Sequence, residues 1–314
     1  MIELASPRYA VARLVAGAVL ISFSPVWVTL ADVDPTASAF WRLALGGVLL
    51  LLWLALRGER IRVRAPVGVM LLLAGGCFAL DLFFWHRSIL IVGAGVSTLL
   101  ANFQVFILAA AAFVLFGQRL GVQQLLAVPV ALLGLAMIVG LEWQALPPQY
   151  RLGIVFGLLT AVSYAAYILA LQAARLRGGG GGSPMGDVAL ASLAGAVALA
   201  FLSLQTGETL RIGSARDAAL LSCYALGSTV FGWVLISSSL AHVSAARVGL
   251  ILLLQPTLSF FWDVLFFGRG FTGLELTGAL IALVAIHMGA RRDSRAGNAP
   301  GALPSLGGPE RPPR

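Results

Sequence analysis

Hydrophobic residues in this chain are collected into ten long runs, separated by short connections that contain charged residues, glycine or proline. A helix needs roughly 20 apolar residues to cross the hydrocarbon core of a bilayer. The runs cover residues 14–31, 36–56, 66–86, 93–116, 123–141, 152–174, 188–206, 217–241, 248–267 and 272–290. The pattern predicts an all-α membrane protein with ten transmembrane helices. The connections are too short to form a soluble catalytic domain.

A second pattern is an internal repeat. A shift of 151 residues places Ser88–Phe106 on Ser239–Thr257 without a gap, and it superposes Gln104 on Gln255. Each half then holds five spans, and because five is odd the second half enters the membrane in the opposite sense. The sequence therefore predicts two inverted five-helix repeats, an arrangement that places a substrate site near the membrane midplane between the halves.

The repeat also sets the expected domain boundaries. We expect the first five-helix repeat at residues 1–146 and the second at residues 147–292. Residues 293–314 are rich in proline, glycine and serine and poor in apolar side chains. Such a composition cannot bury enough apolar surface to fold. The sequence predicts a disordered cytoplasmic tail there.

The distribution of charged residues along the chain indicates the orientation of the protein in the membrane. The chain has a formal net charge of +8 with no lysine, and 59% of its residues are hydrophobic against 11% charged. The arginines collect in alternate connections, with Arg8 and Arg13 before the first span and with Arg57, Arg60, Arg62, Arg64, Arg119, Arg175, Arg177, Arg291, Arg292 and Arg295 after later ones. Because cytoplasmic loops are enriched in basic residues, both termini are expected in the cytoplasm of a bacterium, with the protein in its inner membrane. The positive charge follows topology, so no nucleic-acid partner is expected.

Three short segments add a family resemblance. They are SPVW at Ser24–Trp27, FWR at Phe40–Arg42 and QPTLSFFWDVLFFGR at Gln255–Arg269. Together with ten spans in two repeats, they resemble the drug/metabolite transporter superfamily, and specifically its EamA-type members. The resemblance implies a secondary transporter that works by alternating access and is not an enzyme.

The resemblance also implies a function: export of a small polar or zwitterionic metabolite, such as an amino acid or a related compound. Import of a vitamin, nucleoside or sugar-like metabolite is one alternative, and a non-transporting structural or sensory membrane protein is another. A membrane enzyme is disfavoured, because no HExxH motif, carboxylate pair or Ser/His/Asp grouping has a supporting spacing. No cofactor or metal site is predicted, and a homodimer is left open.

Two acidic residues inside the spans are candidates for the transport chemistry. Ionisable side chains are costly in a bilayer and mark substrate or proton pathways. Asp81 and Asp263 are therefore candidates for proton coupling, and Asp263 is also a candidate for binding a substrate ammonium group. The alternatives are structural: Asp81 would pair with His86, Arg87 or Arg42, and Asp263 would meet water or an arginine near a helix end.

Amide and aromatic side chains complete the candidate substrate site. Gln104 and Gln255 are related by the repeat, and their amides offer both donors and acceptors to a substrate. Hydrogen bonding between helices is the alternative use of these amides. The aromatic candidates for the walls of the site are Trp27, Trp85, Tyr164 and Trp233.

Further predictions concern two prolines inside the spans and two basic residues at the end of one span. Pro25 and Pro256 each remove a backbone hydrogen bond, so we expect kinks there and propose that these kinks serve as gates. His86 and Arg87 close the predicted third span, and we expect them at the membrane interface.

Overall fold

The computed structural model describes residues 9–59, 63–116, 122–139, 146–177, 183–240, 251–252 and 254–290. Every regular element within these ranges is a helix. The helices are α1 (Ala10–Ser22), α2 (Ser24–Leu30), α3 (Pro35–Leu56), α4 (Ala65–Val92), α5 (Ala94–Ala101), α6 (Gln104–Phe116), α7 (Val122–Val139), α8 (Pro148–Arg177), α9 (Pro184–Thr206), α10 (Ala215–Tyr224), α11 (Val234–Leu240), α12 (Leu254–Phe267) and α13 (Gly273–Ala290). A π-helical segment (Ala225–Trp233) joins α10 to α11. The expected tail at 293–314 lies outside the described residues.

Helical stretches of membrane length make up most of the described chain. Six are long and apolar enough to cross a bilayer, namely Ala10–Leu30, Pro35–Leu56, Ala65–Val92, Pro148–Leu171, Met185–Thr206 and Ala215–Ile236. Three shorter apolar helices are Ala94–Leu108, Leu125–Ile138 and Gly273–Ala285. The all-helical class is therefore confirmed for the part of the chain that the structure describes. The number of ten spans stays a prediction, because the predicted ninth span is only partly described.

The packing of the helices repeats between the halves. α3 packs on α9, α5 on α12 and α7 on α13, so helices in corresponding positions pair with each other. Two further contacts are related to each other by the repeat. The first span (α1) packs on the eighth (α11 and the π-helical segment), and the third span (α4) packs on the sixth (α8). The α7–α13 crossing is reciprocal: a Cβ on Gly134 would lie 2.7 Å from the carbonyl oxygen of Gly278, and a Cβ on Gly278 would lie 2.7 Å from that of Gly134. Small residues permit such close helix packing in membranes, and the symmetry fits a two-repeat architecture.

The third span is longer than the sequence predicts. Its expected end is residue 86, but α4 continues to Val92. His86 lies inside this helix and its side chain is 0% exposed, while its depth in the membrane stays a prediction. Two adjacent basic residues resemble a helix end when their partners are distant in sequence. In the structure Arg87 forms an ion pair with Glu208, which lies 121 positions away.

Two predicted spans are interrupted helices. The first breaks at Phe23, just before Pro25, whose nitrogen has no hydrogen to donate to the preceding turn. The fourth breaks at Asn102–Phe103, between α5 and α6. The side-chain nitrogen of Asn102 donates to the carbonyl oxygen of Thr98 at 2.7 Å. The backbone N–H of Phe103 bonds three residues back, at 3.0 Å, as in a tightened 3₁₀ turn.

Candidate functional site

Charged and aromatic side chains meet where the two halves of the chain pack together. We call this group the central cluster. α3 and α4 supply members from the first half, and α8, α10 and the π-helical segment supply members from the second. The members are Arg42, Phe78, Asp81, His86, Tyr164, Tyr167, Tyr224, Thr229 and Trp233. All of them are buried except Tyr164, which is half-buried.

Arg42 is the cation of the central cluster, and it is only 3% exposed. Its Nη1 donates to the hydroxyl of Tyr224 at 2.8 Å, and its Nε lies 3.5 Å from Oγ1 of Thr229. The guanidinium carbon also lies 4.8 Å from the ring centroid of Tyr224 and 5.5 Å from that of Phe78. Aromatic faces at these distances attract the guanidinium of an arginine. Arg42 is thus held in place by three side chains from both halves.

The π-helical segment positions much of this environment. π-helical turns are rare and occur frequently at functional sites. The segment begins directly after Tyr224 and ends at Trp233, so it fixes the spacing between these two members of the cluster. The hydroxyl groups of Ser228 and Ser24 lie 2.6 Å apart, which attaches the segment to α2.

Asp81 is the anion of the central cluster, and it is 6% exposed. It interacts electrostatically with Arg42 and also with the hydroxyl groups of Tyr164, Tyr167 and Tyr224. Its carboxylate accepts no hydrogen bond from the residues that the structure describes. Among the described residues, Asp81 therefore has a charge interaction with Arg42 but no ion pair with it within 4.0 Å, so the structural alternative stays a prediction.

Four aromatic rings of the central cluster pack against one another. The rings of Phe78 and Tyr167 stack with centroids 4.3 Å apart. The ring of Trp233 stands nearly perpendicular to those of Tyr164 and Tyr167, at 6.2 and 5.5 Å. Two of the aromatic residues predicted to line a site, Tyr164 and Trp233, are thus in contact.

Several buried polar atoms in this region have no hydrogen-bond partner among the described residues. They are Oε1 of Gln104, the hydroxyl of Tyr167 and Nε1 of Trp233. The side chain of Gln104 is tied to the cluster by a hydrogen bond with the hydroxyl of Tyr164. An unsatisfied buried polar group costs about 1–3 kcal/mol. Donors and acceptors left open around one charged pair suit a binding site whose partner comes from outside the chain.

The other residues predicted for the site lie near the cluster or on a neighbouring helix. Trp85 follows Asp81 by one helical turn, and Trp27 packs against the same hydrophobic core as Trp85, Tyr164 and Trp233. Gln255 is buried in the first turn of α12, and its Nε2 has no hydrogen-bond partner in the described chain.

Asp263 has a different environment from Asp81. It is 3% exposed, and its Oδ2 accepts the backbone N–H of Gly95 at 2.8 Å. A second backbone hydrogen bond joins it to Ala94, and the charge of Arg269 lies close by. The carboxylate therefore caps the N-terminus of α5, where a negative charge is stabilised by the orphan N–H groups of the helix. This contact joins α12 of the second half to α5 of the first.

One end of the bundle is held together by polar contacts between its connections. We call this end the closed end. Glu208, in the connection after α9, accepts the backbone N–H of Thr36 at 3.0 Å and pairs with Arg87. Asp34 accepts the backbone N–H of Thr209 at 2.8 Å. These contacts join the connection before α3 to the connection after α9, and so join the two halves.

Further contacts extend the closed end. Asp217 accepts the backbone N–H of Asp32 at 3.1 Å, and Nε1 of Trp41 donates to the carbonyl oxygen of Leu210 at 2.9 Å. Gly93, which ends α4 with a φ of +88°, lies against the guanidinium of Arg269. These contacts also join the first half of the chain to the second.

The two prolines predicted as kinks lie at different places in their helices. Pro25 lies in the first turn of α2, directly after the interruption at Phe23. The ring of Phe23 stacks on that of Trp262 of α12 with centroids 4.3 Å apart. Pro256 lies in the first turn of α12, and the residues that precede this helix are only partly described.

A cavity of about 230 Å³ lies away from the central cluster, between α6, α7 and α8. It is lined by the apolar residues Phe103, Phe106, Ile107, Val128, Leu132, Leu158, Ala161 and Val162. It offers no polar side chain to orient a solute, so the unpaired polar atoms of the central cluster mark the better candidate site. Among the described residues there is no group of three His, Cys, Asp or Glu side chains that could hold a metal ion.

Comparison with known protein families shows which family this chain belongs to. The model of the EamA-like transporter family matches residues 9–140 and again residues 151–288, once in each half. The chain belongs to the EamA-like transporter family. An EamA-like protein is a multi-pass membrane transporter of the drug/metabolite transporter superfamily, so the predicted family is confirmed. A transporter of this kind handles small molecules within a bilayer.

Comparison with solved structures supports the fold. A structure titled "Crystal structure of protein" aligns with a TM-score of 0.63 and 20% identity, over 91% of this chain and 96% of that chain. At this identity the similarity carries the fold of the EamA-like chain and not its substrate. The search among curated proteins found no match.

Sequence reasoning missed several members of the central cluster. Phe78 and Tyr224 look like ordinary aromatic residues of apolar helices, and the sequence suggested Arg42 only as a structural partner for Asp81. One signal was available: Phe78 and Asp81 fall on one helical face of α4 at a spacing of three. The partners of that face come from α8 and α10, and no local pattern connects those helices.

Proposed function

We propose that this EamA-like protein is a secondary transporter that exports a small polar or zwitterionic metabolite, an amino acid or a related compound, across the bacterial inner membrane. The observation that carries the proposal is the central cluster. It combines a buried cation, Arg42, with a buried anion, Asp81, and with polar atoms of Gln104, Tyr167 and Trp233 that have no partner in the described chain. Oriented polar groups in an otherwise aromatic environment fix and select small ligands.

The location of the cluster supports alternating access. Its members come from both halves, and transporters of the inverted-repeat class move one half against the other around a fixed central site. With cytoplasmic termini, the closed end lies on the outer face of the membrane. In that orientation the described conformation is closed to the outside, and the contacts Arg87–Glu208 and Asp34–Thr209 separate when the transporter opens outward.

Proton coupling through Asp81 and Asp263 belongs to the same proposal. Asp81 interacts electrostatically with Arg42, Tyr164 and Tyr224, so protonation there would change the charge balance of the cluster. Asp263 faces the backbone N–H groups at the start of α5 and the charge of Arg269, so protonation there would weaken a contact between the halves. Either event links a proton to the conformational change.

The experiment compares metabolites inside and outside a deletion strain, the same strain carrying the gene, and the strain carrying an Asp81→Asn variant. A compound that accumulates inside the deletion strain and leaves only with the intact gene identifies the exported substrate. Leu133→Ala serves as the matched control, because Leu133 lies on an exposed apolar face away from the cluster.

Two other results would overturn export. Loss of uptake of one nutrient, with unchanged external metabolites, would make the protein an importer of a vitamin, nucleoside or sugar-like compound. Unchanged metabolites everywhere would favour a structural or sensory role. Cross-linking in the membrane tests the homodimer separately, since the described contacts lie within one chain.

A further inference from the structure

We infer that the solute leaves the central cluster along the interface between α3 and α10, past Ser38, and that Glu208 is the latch that closes this route at the closed end. The inference rests on the proposed function and on its orientation in the membrane. It deepens that function by naming the route of the solute and the residue that controls it. We call this contact the α3–α10 interface.

The α3–α10 interface joins the two halves and runs from the central cluster to the closed end. α3 packs against α10 and against the π-helical segment that follows it. At the inner end of the interface, Nη1 of Arg42 donates to the hydroxyl of Tyr224 at 2.8 Å. At the outer end, the backbone N–H of Asp32 donates to the carboxylate of Asp217 at 3.1 Å. Transporters of the inverted-repeat class move one half against the other, so a route can open along such an interface.

Ser38 lies between the two ends of the interface. It precedes Arg42 by four residues, so both side chains lie on the face of α3 that contacts Tyr224, with Ser38 one turn closer to the closed end. Ser38 is 2% exposed, and its hydroxyl has no hydrogen-bond partner among the described residues. By contrast, the hydroxyl of Ser222 on α10 donates to the carbonyl oxygen of Ala218 at 2.7 Å. A buried hydroxyl without a partner is costly, and a polar solute that passes Ser38 would supply one.

Glu208 holds the outer end of the interface with both of its carboxylate oxygens. Oε2 accepts the backbone N–H of Thr36, in the first turn of α3, at 3.0 Å. Oε1 pairs with Nη2 of Arg87 on α4, and the same Nη2 donates to the hydroxyl of Thr36 at 3.1 Å. These contacts close α3, α4 and the connection between α9 and α10 into one ring of hydrogen bonds. Because Thr36 lies two residues before Ser38, the ring closes the route next to this serine.

The neighbouring contacts of the closed end hold the same connection less firmly. Asp34 bonds to Thr209, which is exposed, and Nε1 of Trp41 donates to a neutral carbonyl oxygen. Glu208 and Arg87 instead form an ion pair between the halves, and only 21% and 13% of their side chains are exposed. Hydrogen bonds between two charged groups are stronger than neutral ones. Loss of the charge of Glu208 should therefore release the interface.

The test measures how fast a small polar thiol reagent reaches a cysteine at position 38 from outside the cell. Ser38→Cys is introduced into the full-length chain together with Cys77→Ala and Cys223→Ala, which remove the two native cysteines. The probe is sulfonatoethyl methanethiosulfonate, which does not cross the membrane, and it is added to intact cells. We expect slow labelling while Glu208 is present. In Glu208→Gln labelling should be roughly tenfold faster or more, because the charge-assisted hydrogen bond to Arg87 is lost.

Two matched controls distinguish release of a latch from loosening of the whole fold. Glu275→Gln removes a carboxylate that bonds to Thr272 at the start of its own helix, α13, and it should leave the labelling rate unchanged. Ser192→Cys moves the labelled position to another buried serine whose hydroxyl has no partner in the described chain, but which lies on α9. This position should stay protected in Glu208→Gln. Thermal unfolding of the purified variants shows whether each one is folded.

The inference is overturned if position 38 is labelled equally fast with glutamate and with glutamine at position 208. It is also overturned if Glu275→Gln accelerates labelling as much, or if position 192 becomes labelled as fast as position 38. Export of a cellular metabolite with position 38 protected in every variant would refute the inference alone. A route that opens at position 38 in a protein that exports nothing would refute the proposed function alone.

Discussion

Asp81 and Asp263 are both buried acidic residues inside apolar helices, yet the structure uses them differently. The carboxylate of Asp263 accepts hydrogen bonds from the backbone N–H groups that begin α5. Asp81 is buried, interacts electrostatically with Arg42, and accepts no hydrogen bond from the described residues. An ionisable residue in a span is costly and therefore indicates a structural or functional role. Its hydrogen-bond partners then distinguish an internal contact from a site for a ligand.

The sharpest way to test this comparison is Asp81→Asn. Transport of the exported compound should fall by roughly tenfold or more, because a buried hydrogen bond to a charged group contributes about 1.5–3 kcal/mol. Efflux from preloaded cells measures the loss at matched expression. Retention of wild-type efflux in folded Asp81→Asn would place the substrate elsewhere.

Gly93→Ala should give the largest loss of stability. Gly93 has a φ of +88°, and an added Cβ would lie 1.5 Å from Nη1 of Arg269. With a ψ of 167°, Gly93 lies in a backbone region that is essentially restricted to glycine, so alanine there should cost about 1–3 kcal/mol of backbone strain, and displacement of Arg269 adds to it. The measurement is the Tm of the purified variant.

Gly58→Ala is the matched control for Gly93→Ala. Gly58 also has a positive φ, of +68°, but nothing lies within 4 Å of the position of its added Cβ. It should therefore show the backbone strain alone. Equal Tm losses in the two variants would mean that the contact between Gly93 and Arg269 does not stabilise the closed end.

Asp263→Asn should lower stability with little effect on solute affinity. The amide keeps an oxygen acceptor for Gly95 but loses the charge, so about 1–2 kcal/mol of the contact should disappear. Thermal unfolding measures the first effect, and calorimetry with the exported compound measures the second. A tenfold loss of affinity with unchanged Tm would assign Asp263 to the substrate site and remove the contrast with Asp81.

Trp233→Phe should have the smallest effect. The substitution keeps an aromatic face beside Tyr164 and Tyr167 but removes Nε1, which has no partner in the described chain. A change of affinity of about fivefold is expected, since a neutral hydrogen bond contributes about 1 kcal/mol. A loss as large as that of Asp81→Asn would make the indole donor, and not the carboxylate, the main recognition group.

The sequence predicts the helical class and the family because both depend on patterns that are local or periodic. Apolar runs of membrane length identify the helices, and the segment Gln255–Arg269 supports the family resemblance. The ends of the helices were harder to predict from the sequence. The ion-pair partner of Arg87 is Glu208, and no feature of the sequence near Arg87 indicates it. The two basic residues at 86–87 therefore suggested the end of a span, whereas the helix continues to Val92.

The candidate site was predictable only in part for the same reason. Tyr164, Trp233, Gln104 and Asp81 could be selected because polar or aromatic residues are conspicuous among aliphatic ones. That they come together depends on the packing of α4 against α8 and of α3 against the π-helical segment. A π-helix is not readable from the residues 225–233, so the placement of Trp233 opposite Tyr167 required the structure.

A structure of the protein with its exported compound bound tests the central claim most directly. The account predicts the solute in the central cluster, with one of its polar groups within hydrogen-bond distance of Asp81 and its body against the ring of Trp233. Density for the solute beside Asp263 at the start of α5, or in the apolar cavity between α6, α7 and α8, would contradict the account.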